Sequence, residues 1–115
     1  MGEKEELYKK VVEKVYILRD QEVMLDEDLA GFFGVKIGDF RRTVTRNRRR
    51  FDGEDIMFRL TESEYQKIHQ GKTKYLPYVF TELGLTLLTS VLNSPLAIKL
   101  HKMIIRDVVS KVRMF

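Results

Sequence analysis

The stretch "DEDLAGFFGVKIGDFRRTVTRNRRRF", residues 26–51, contains the pattern that decides the predicted fold. Asp26 stands where the N-cap of a helix is expected, and the acidic residues that follow it suit the positive end of the helix dipole. Gly34 is typical of a helix C-terminus. A second helix is predicted from about Ile37 to Arg50, so the stretch indicates two short helices joined by a tight turn.

Two helices in this arrangement are a candidate helix-turn-helix motif. Such motifs need a small residue inside the first helix and a glycine at the turn, so that the helices cross closely. Ala30 and Gly34 occupy those positions, four residues apart. The expected apolar contacts between the helices are Leu29, Phe33, Val35 and Phe40.

The second helix has two opposite stripes when its residues are placed 100° apart on a wheel. The predicted core stripe consists of Ile37, Phe40, Val44 and Phe51. The opposite stripe consists of Gly38, Arg42, Thr45, Arg46 and Arg49. The helix is therefore expected to bury aromatic rings on one side and to expose guanidinium groups on the other.

Charge is concentrated in this segment. Residues 36–50 sum to about +6, although the chain as a whole carries +4. A solvated helix face is the common explanation of a charge run, but such a face mixes signs because like charges four residues apart repel. Arg42, Arg46 and Arg50 form like-charged pairs, and arginine binds phosphate bidentately. The pattern therefore favours nucleic acid as a partner.

Length and composition bound the remaining possibilities. The 115 residues suit one domain, 1–115, with its core over 14–95. The chain has no cysteine, which excludes disulfides, thiol catalysis and cysteine-bound zinc. No apolar run is long enough to cross a bilayer, and the charged start does not resemble a secretory signal. We expect a cytoplasmic protein that does not contact membranes.

The flanking segments predict an α+β fold. A helix is expected over 3–14 and a small hairpin around Arg19-Asp20-Gln21. "IMFRL" reads as a strand, and Thr61 with Glu64 forms a capping box that opens a helix. "YLPYVF" reads as a strand that Pro77 assigns to a sheet edge. Thr81 is expected to cap a further helix that ends at about Leu92.

The strands "IMFRL" and "YLPYVF" with the loop "QGKTK" are a candidate wing beside the helix pair. Lys72 and Lys74 near its tip would contact the sugar-phosphate backbone, unless this is an ordinary solvated loop. The predicted architecture is a small winged-helix-like domain with a helix-turn-helix, short β hairpins and a long C-terminal helix. The phenylalanines fall at core-like spacing and are interpreted as packing residues.

The final helix is predicted over 96–115, after a strong start signal at Ser94 and Pro95. It has two apolar sides, one with Leu100 and Ile104 and the other with Ile105 and Val112. A helix that is apolar on two sides needs two partners. We expect one side to close the domain core and the other to form a homodimer, the alternative being full burial within one domain. Because the sequence ends inside this helix, we expect it to be truncated from a longer protein.

No pattern for catalysis or cofactor binding is present. His69 and His101 have no partner at metal-ligand spacing, and capping and turn roles explain the acidic segments "DEDL" and "DGED". There is no Gly-rich phosphate loop or nucleophile elbow. We expect a protein that is not an enzyme and that binds no metal or cofactor.

Three blocks of the sequence resemble the phage and bacterial ORF-six N-terminal domain family, a relative of the KilA-N domain. They are "VYILRDQEVMLDEDLAGFFGV", "VTRNRRRFDGEDIMFRLT" and "YLPYVFTELGLTLLTSVLNSPLAI", in the family's order, and the resemblance covers roughly residues 14–105. It implies a DNA-binding regulator of the phage antirepressor-like type. The family's pattern of a basic residue, Asn, then Arg-Phe falls on Arg46, Asn47, Arg50 and Phe51. It implies a DNA role for Arg46, a turn role for Asn47 and Arg50, and a core role for Phe51.

The sequence departs from the family in its additional arginines and in Asp52, where proline is common. Our prediction is a double-stranded DNA-binding domain whose helix over about 37–50 enters the major groove. The alternative is a protein-interaction module that binds a repressor without reading DNA, and single-stranded nucleic acid is a third possibility. The predicted DNA-binding residues are Lys36, Arg41, Arg42, Thr45, Arg46, Arg48, Arg49, Lys72 and Lys74.

Overall fold

The computed structural model of the chain describes residues 2–69 and 75–92, together with Lys99 and Lys102. The elements are a mixture of helices and strands, which confirms the predicted α+β class. In chain order they are α1 (Gly2–Glu13), β1 (Val15–Leu18), β2 (Gln21–Leu25), α2 (Asp26–Phe33), α3 (Ile37–Arg46), β3 (Met57–Arg59), α4 (Glu62–Ile68), β4 (Tyr78–Thr81) and α5 (Glu82–Leu92). Apart from Lys99 and Lys102, the predicted helix over 96–115 lies outside the residues described, as does its predicted start at Ser94 and Pro95.

The predicted hairpin is confirmed as β1 and β2, which pair antiparallel with Leu18 opposite Gln21. Its two-residue turn consists of Arg19 and Asp20, with φ of 52° and 61°. Two positive φ angles are the pattern of a type I′ turn, whose twist matches that of the strands. Arginine rarely adopts this conformation. Hydrogen bonds from the Arg19 side chain to Glu54 and Glu64 stabilise this conformation.

The strands form one antiparallel sheet in the order β1-β2-β4-β3. β4 is therefore a central strand, and the prediction that Pro77 marks a sheet edge is wrong. Pro77 lies one residue before β4, where its missing N–H is not needed by a neighbour. Its carbonyl oxygen still accepts a hydrogen bond of 3.0 Å from the N–H of Leu60.

Both faces of the sheet contribute to the hydrophobic core. The central strands place alternate residues on opposite sides, so each strand supplies residues to both faces. On one side Met24 and Phe80 pack against α2, α3 and α5, in a cluster that includes Leu29, Phe33, Phe40, Phe51 and Leu88. On the other side Val23 and Val79 pack with Phe58, against Tyr65 and Ile68 of α4. The prediction that the phenylalanines serve as packing residues is confirmed for Phe33, Phe40, Phe51 and Phe58. The sheet thus separates α3 from α4.

The helix boundaries follow the predicted signals at three places. Gly34 ends α2 in the left-handed conformation, with φ of 70°. The capping box of Thr61 and Glu64 opens α4. The hydroxyl of Thr81 accepts a hydrogen bond of 3.2 Å from the N–H of Gly84 and so caps α5.

The predicted N-cap at Asp26 is wrong. Leu25 occupies the N-cap position of α2 without a side-chain bond, and Asp26 is the first helical residue. The Asp26 side chain is only 1% exposed, because it points into the protein toward α3 and β4. A capping aspartate and an aspartate that bonds to a distant arginine look the same in sequence.

Candidate nucleic-acid interface

Helix α3 is attached to the core by Phe40, which is completely buried. Its ring stacks on Phe33 of α2 at a centroid distance of 6.4 Å and meets Phe80 of β4 edge-on at 5.6 Å. These contacts fix which side of α3 faces outward. Gly38, Arg42, Thr45 and Arg46 on the opposite side are exposed, as the wheel predicts.

The basic segment changes direction sooner than predicted. α3 ends at Arg46, not at Arg50, because Asn47 caps it with a side-chain hydrogen bond of 2.8 Å to the carbonyl of Thr43. Tighter turns follow, with hydrogen bonds three residues apart that bring Phe51 into the core. Arg48, Arg49 and Arg50 therefore lie on a compact turn and are exposed there. Asn47 has the turn role that the resemblance implies.

Arg41 differs from the other arginines of the segment because it meets a buried acid. Its Nε donates a hydrogen bond of 3.2 Å to Asp26 Oδ2. Its side chain is still 41% exposed, and one terminal nitrogen lies 4.0 Å from a carboxylate oxygen of Glu27. The pair joins the start of α2 to the first half of α3.

Arg42 also has an acidic partner, but an exposed one. It pairs with Asp39 one turn earlier, and both side chains are more than half exposed. Ion pairs of this kind contribute about 0–1 kcal/mol and weaken with salt, so the guanidinium is available to a stronger anion. The hydroxyl of Thr45 donates to the carbonyl of Arg41, which leaves its oxygen free to accept.

The remaining cations of the segment are exposed, and within the described part of the chain no carboxylate lies within 4.0 Å of them. We call this set the basic surface. It consists of Lys36, Arg46, Arg48, Arg49 and Arg50. Arg50, which is not among the predicted DNA-binding residues, is also exposed, on the turn beside Arg48 and Arg49.

A cleft of about 540 Å³ lies between α3 with its following turn and strands β3 and β4. Its floor is apolar, with Phe40, Val44, Phe51, Met57 and Phe80. Polar groups line the rest of it, namely Asp26, Arg41, Thr45, Arg48, Asp52 and Tyr78. Arg41 and Arg48 thus border an apolar depression next to the basic surface.

Comparison with known families gives a match to the ORF6N domain over residues 13–91. The chain belongs to the ORF6N domain family. This is the family of the resemblance seen in the sequence, although the matched residues end earlier than residue 105. The family is phage-related, of the KilA-N and antirepressor type. Comparisons with curated proteins and with solved structures found no match.

The match to the ORF6N domain includes α2, α3, the basic surface and every strand of the sheet. Strands β3 and β4, the proposed wing, pair antiparallel with Phe58 opposite Val79. The chain between them contains α4, so they are not joined by a simple hairpin loop. Lys72 and Lys74 lie outside the residues described.

In the described residues, no helix combines the length and apolarity that crossing a membrane requires. Across the same residues, no group of three or more His, Asp or Glu side chains is arranged to hold a metal ion.

Proposed function

We propose that this ORF6N domain binds double-stranded DNA and acts in regulation, as a domain of the phage antirepressor-like type. The observation that carries the proposal is the basic surface, whose exposed cations have no carboxylate within 4.0 Å among the residues that the structure describes. Lys36 lies at the start of α3, and the four arginines lie at its end and on the turn that follows. Like charges this close repel one another, and an anion along the segment would relieve the repulsion. The role that we propose for the domain is binding and not catalysis.

The shape of the segment supports duplex DNA as the anion. A single helix fits the major groove, where arginine bonds bidentately to guanine or to phosphate. Single strands are usually held by exposed aromatic rings on which bases stack. The phenylalanine rings beside α3, Phe40, Phe51 and Phe80, are buried in the core and cannot stack on bases. One tyrosine, Tyr78, lines the cleft beside α3 and is 40% exposed.

The proposed roles divide between the helix and its turn. Arg42, Thr45 and Arg46 on the exposed side of α3 would face base edges or nearby phosphates, together with Arg49 from the turn. Backbone contacts would come from Lys36, Arg41, Arg48, Lys72 and Lys74. In this arrangement α2 and α3 act as a helix-turn-helix, with α3 entering the groove.

A titration of duplex binding against salt tests the proposal. With about six phosphates neutralised, log K should fall with log salt at a slope near −5. The paired variant Arg42→Ala with Arg46→Ala should bind more weakly and with a shallower slope, because two cations are lost. A shallow slope for the parent domain, or equal binding by the variant, would count against DNA.

A protein partner that carries acidic groups is the alternative for the same surface. Association of an antirepressor with a repressor would take this form. It would be recognised by capture of an acidic protein in the absence of measurable duplex affinity. The third candidate partner is single-stranded nucleic acid. A competition experiment tests it, because single strands should then displace duplex DNA from the domain.

The proposed assembly is a homodimer in the cytoplasm, formed through the segment 96–115, because two modules on two half-sites bind more strongly than one. A chain cut near Lys99 should then be monomeric in light scattering. A dimer that survives this cut would exclude the segment as the dimer interface.

A further inference from the structure

We propose that Asp26 is a positioning residue, whose buried carboxylate holds Arg41 as a preformed anchor for one phosphate of the DNA backbone. The inference rests on the proposed function and deepens it. It assigns a role to a residue that the sequence suggested was only a helix cap, and it names the group that the cleft beside α3 would receive.

The Asp26 carboxylate is surrounded by donors. Oδ1 accepts a hydrogen bond of 2.7 Å from the N–H of Glu27, and Oδ2 accepts from Arg41 Nε at 3.2 Å. The N–H of Tyr78, at the first residue of β4, lies 3.4 Å from Oδ2. One carboxylate therefore connects α2, α3 and β4, and its position is set by all of them.

Burial makes this connection specific. The Asp26 side chain is 1% exposed, so water cannot replace a lost partner. A buried charge that loses its partner is strongly unfavourable. Arg41 is therefore restrained at its Nε, whereas Arg42, bonded to an exposed acid, can exchange its partner for water.

The bond to Asp26 uses only part of the Arg41 side chain. A guanidinium has five N–H donors, and Nε supplies one of them. The side chain remains 41% exposed, and the carboxylate near its terminal nitrogens is the exposed Glu27 at 4.0 Å, which a ligand can displace. The edge formed by these nitrogens matches the two oxygens of a phosphate.

Arg41 borders the cleft beside α3, so a phosphate bound by its terminal nitrogens would lie at the rim of this cleft. Arg41, Thr45 and Arg48 line the α3 side of the cleft, and Tyr78 lies on the sheet side. A phosphate at the rim would meet two guanidinium groups, and the deoxyribose next to it would lie over the apolar floor. The two guanidinium groups thus favour a sugar-phosphate strand as the occupant, with the exposed acid of the lining, Asp52, next to the turn that carries Arg48.

The substitution Asp26→Asn tests the inference by the sign of its effect. The change removes a negative charge beside a DNA site, so electrostatics alone would make duplex binding tighter. If Asp26 positions Arg41, the variant should instead bind about five- to tenfold more weakly, with a salt slope shallower by about 0.9. Tighter binding with an unchanged slope would overturn the inference.

Glu27→Gln is the matched control, because Glu27 lies near the same arginine but is 70% exposed and 4.0 Å away. It removes the same charge without removing the restraint, so its duplex affinity should stay equal or rise slightly. If Glu27→Gln lost as much duplex affinity as Asp26→Asn, removal of any acid near Arg41 would have the same effect. That result would also contradict a positioning role for Asp26.

A second variant covers the case in which Asp26→Asn does not fold. Arg41→Lys keeps the positive charge at a partly exposed position but loses the planar fork that Asp26 holds. It should weaken binding about fivefold, and unchanged affinity would overturn the inference. If the parent domain does not bind duplex DNA at all, the result contradicts the proposed function itself. Parent binding together with an unweakened Arg41→Lys removes only the role of Asp26.

Discussion

The guanidinium of Arg19 donates two hydrogen bonds of 2.9 Å to the carboxylate of Glu64, 45 residues further along the chain. A third bond, of 3.0 Å, goes to Glu54, and the guanidinium carbon lies 3.9 Å from the centroid of the Phe58 ring. The left-handed turn of the β1–β2 hairpin is thereby fastened to the start of α4. These contacts explain how arginine is held at a φ of 52°.

Acid should weaken this connection. The bonds from Arg19, followed by the N–H of Thr61, lower the pKa of Glu64 to about 2 from a usual value of 4.5. A carboxyl whose pKa is depressed on folding contributes stability above the unfolded value, and this contribution is lost as pH falls. Glu64→Gln should therefore unfold more easily than the parent at pH 7. The difference should shrink between about pH 4.5 and 2, as measured by chemical denaturation at each pH.

Glu54→Gln is the control for this pH dependence. Glu54 bonds to the same arginine, but its side chain is 76% exposed, so solvent weakens the interaction. Its unfolding free energy should stay within about 0.5 kcal/mol of the parent at every pH. A constant difference between Glu64→Gln and the parent down to pH 2 would contradict the assignment.

Two helical glycines, Gly84 in α5 and Gly31 in α2, should respond in opposite ways to substitution by alanine. A Cβ at Gly84 would lie 2.1 Å from the carbonyl oxygen of Ile56, whereas one at Gly31 in α2 would meet nothing within 4 Å. Gly84→Ala should destabilise the domain by roughly 3 kcal/mol or more, because backbone has to move. Gly31→Ala should stabilise it by about 0.5–1 kcal/mol through helix propensity. Thermal unfolding of both variants measures the contrast.

The basic surface predicts a difference between two cations on opposite faces of the sheet. Arg46→Ala should weaken duplex binding roughly three- to tenfold and reduce the salt slope by about 0.9. Lys67→Ala removes a charge from α4, which packs on the face opposite α3, and should leave both quantities nearly unchanged. Equal losses for the two variants would indicate attraction by net charge alone.

The early end of α3 predicts an effect on stability at Asn47. Asn47→Ala loses the hydrogen bond of 2.8 Å to the carbonyl of Thr43 at a partly buried site, which should lower the free energy of unfolding by about 1 kcal/mol. Thr45→Ala is the control, since its exposed hydroxyl bonds only within α3, and it should change stability by less than about 0.5 kcal/mol. Urea denaturation distinguishes the two, and an unchanged Asn47→Ala would mean that the cap is dispensable.

Local signals in the sequence predicted much of this fold. Gly34 ends α2 and Thr61 with Glu64 opens α4, because the residues that decide these boundaries are neighbours in the chain. The errors involve distant partners. The sequence predicts a cap at Asp26 because Arg41, its true partner, is 15 residues away. The sequence predicts a sheet edge at Pro77, and this is wrong because strand order depends on the whole sheet.

The candidate site was predicted to a similar extent. Periodicity identified the exposed side of α3, but it extended the helix through residues 47–50, where Asn47 and the burial of Phe51 impose a tighter turn. The pairing of Arg41 with Asp26 and the cleft beside them depend on how α3 meets the sheet. The helix-turn-helix, the wing and the homodimer remain predictions, and the last of these concerns residues outside those described.

The turn that carries Arg48, Arg49 and Arg50 is anchored at both ends, by the Asn47 bond to α3 and by the Phe51 ring, which meets Phe80 edge-on at a centroid distance of 5.9 Å. A main chain fixed in this way has little conformational entropy left to lose when a ligand arrives. Only the rotamers of the arginines would still have to be ordered, at up to about 2 kcal/mol each. Recognition through this turn should therefore be fast, and it should proceed without a folding step.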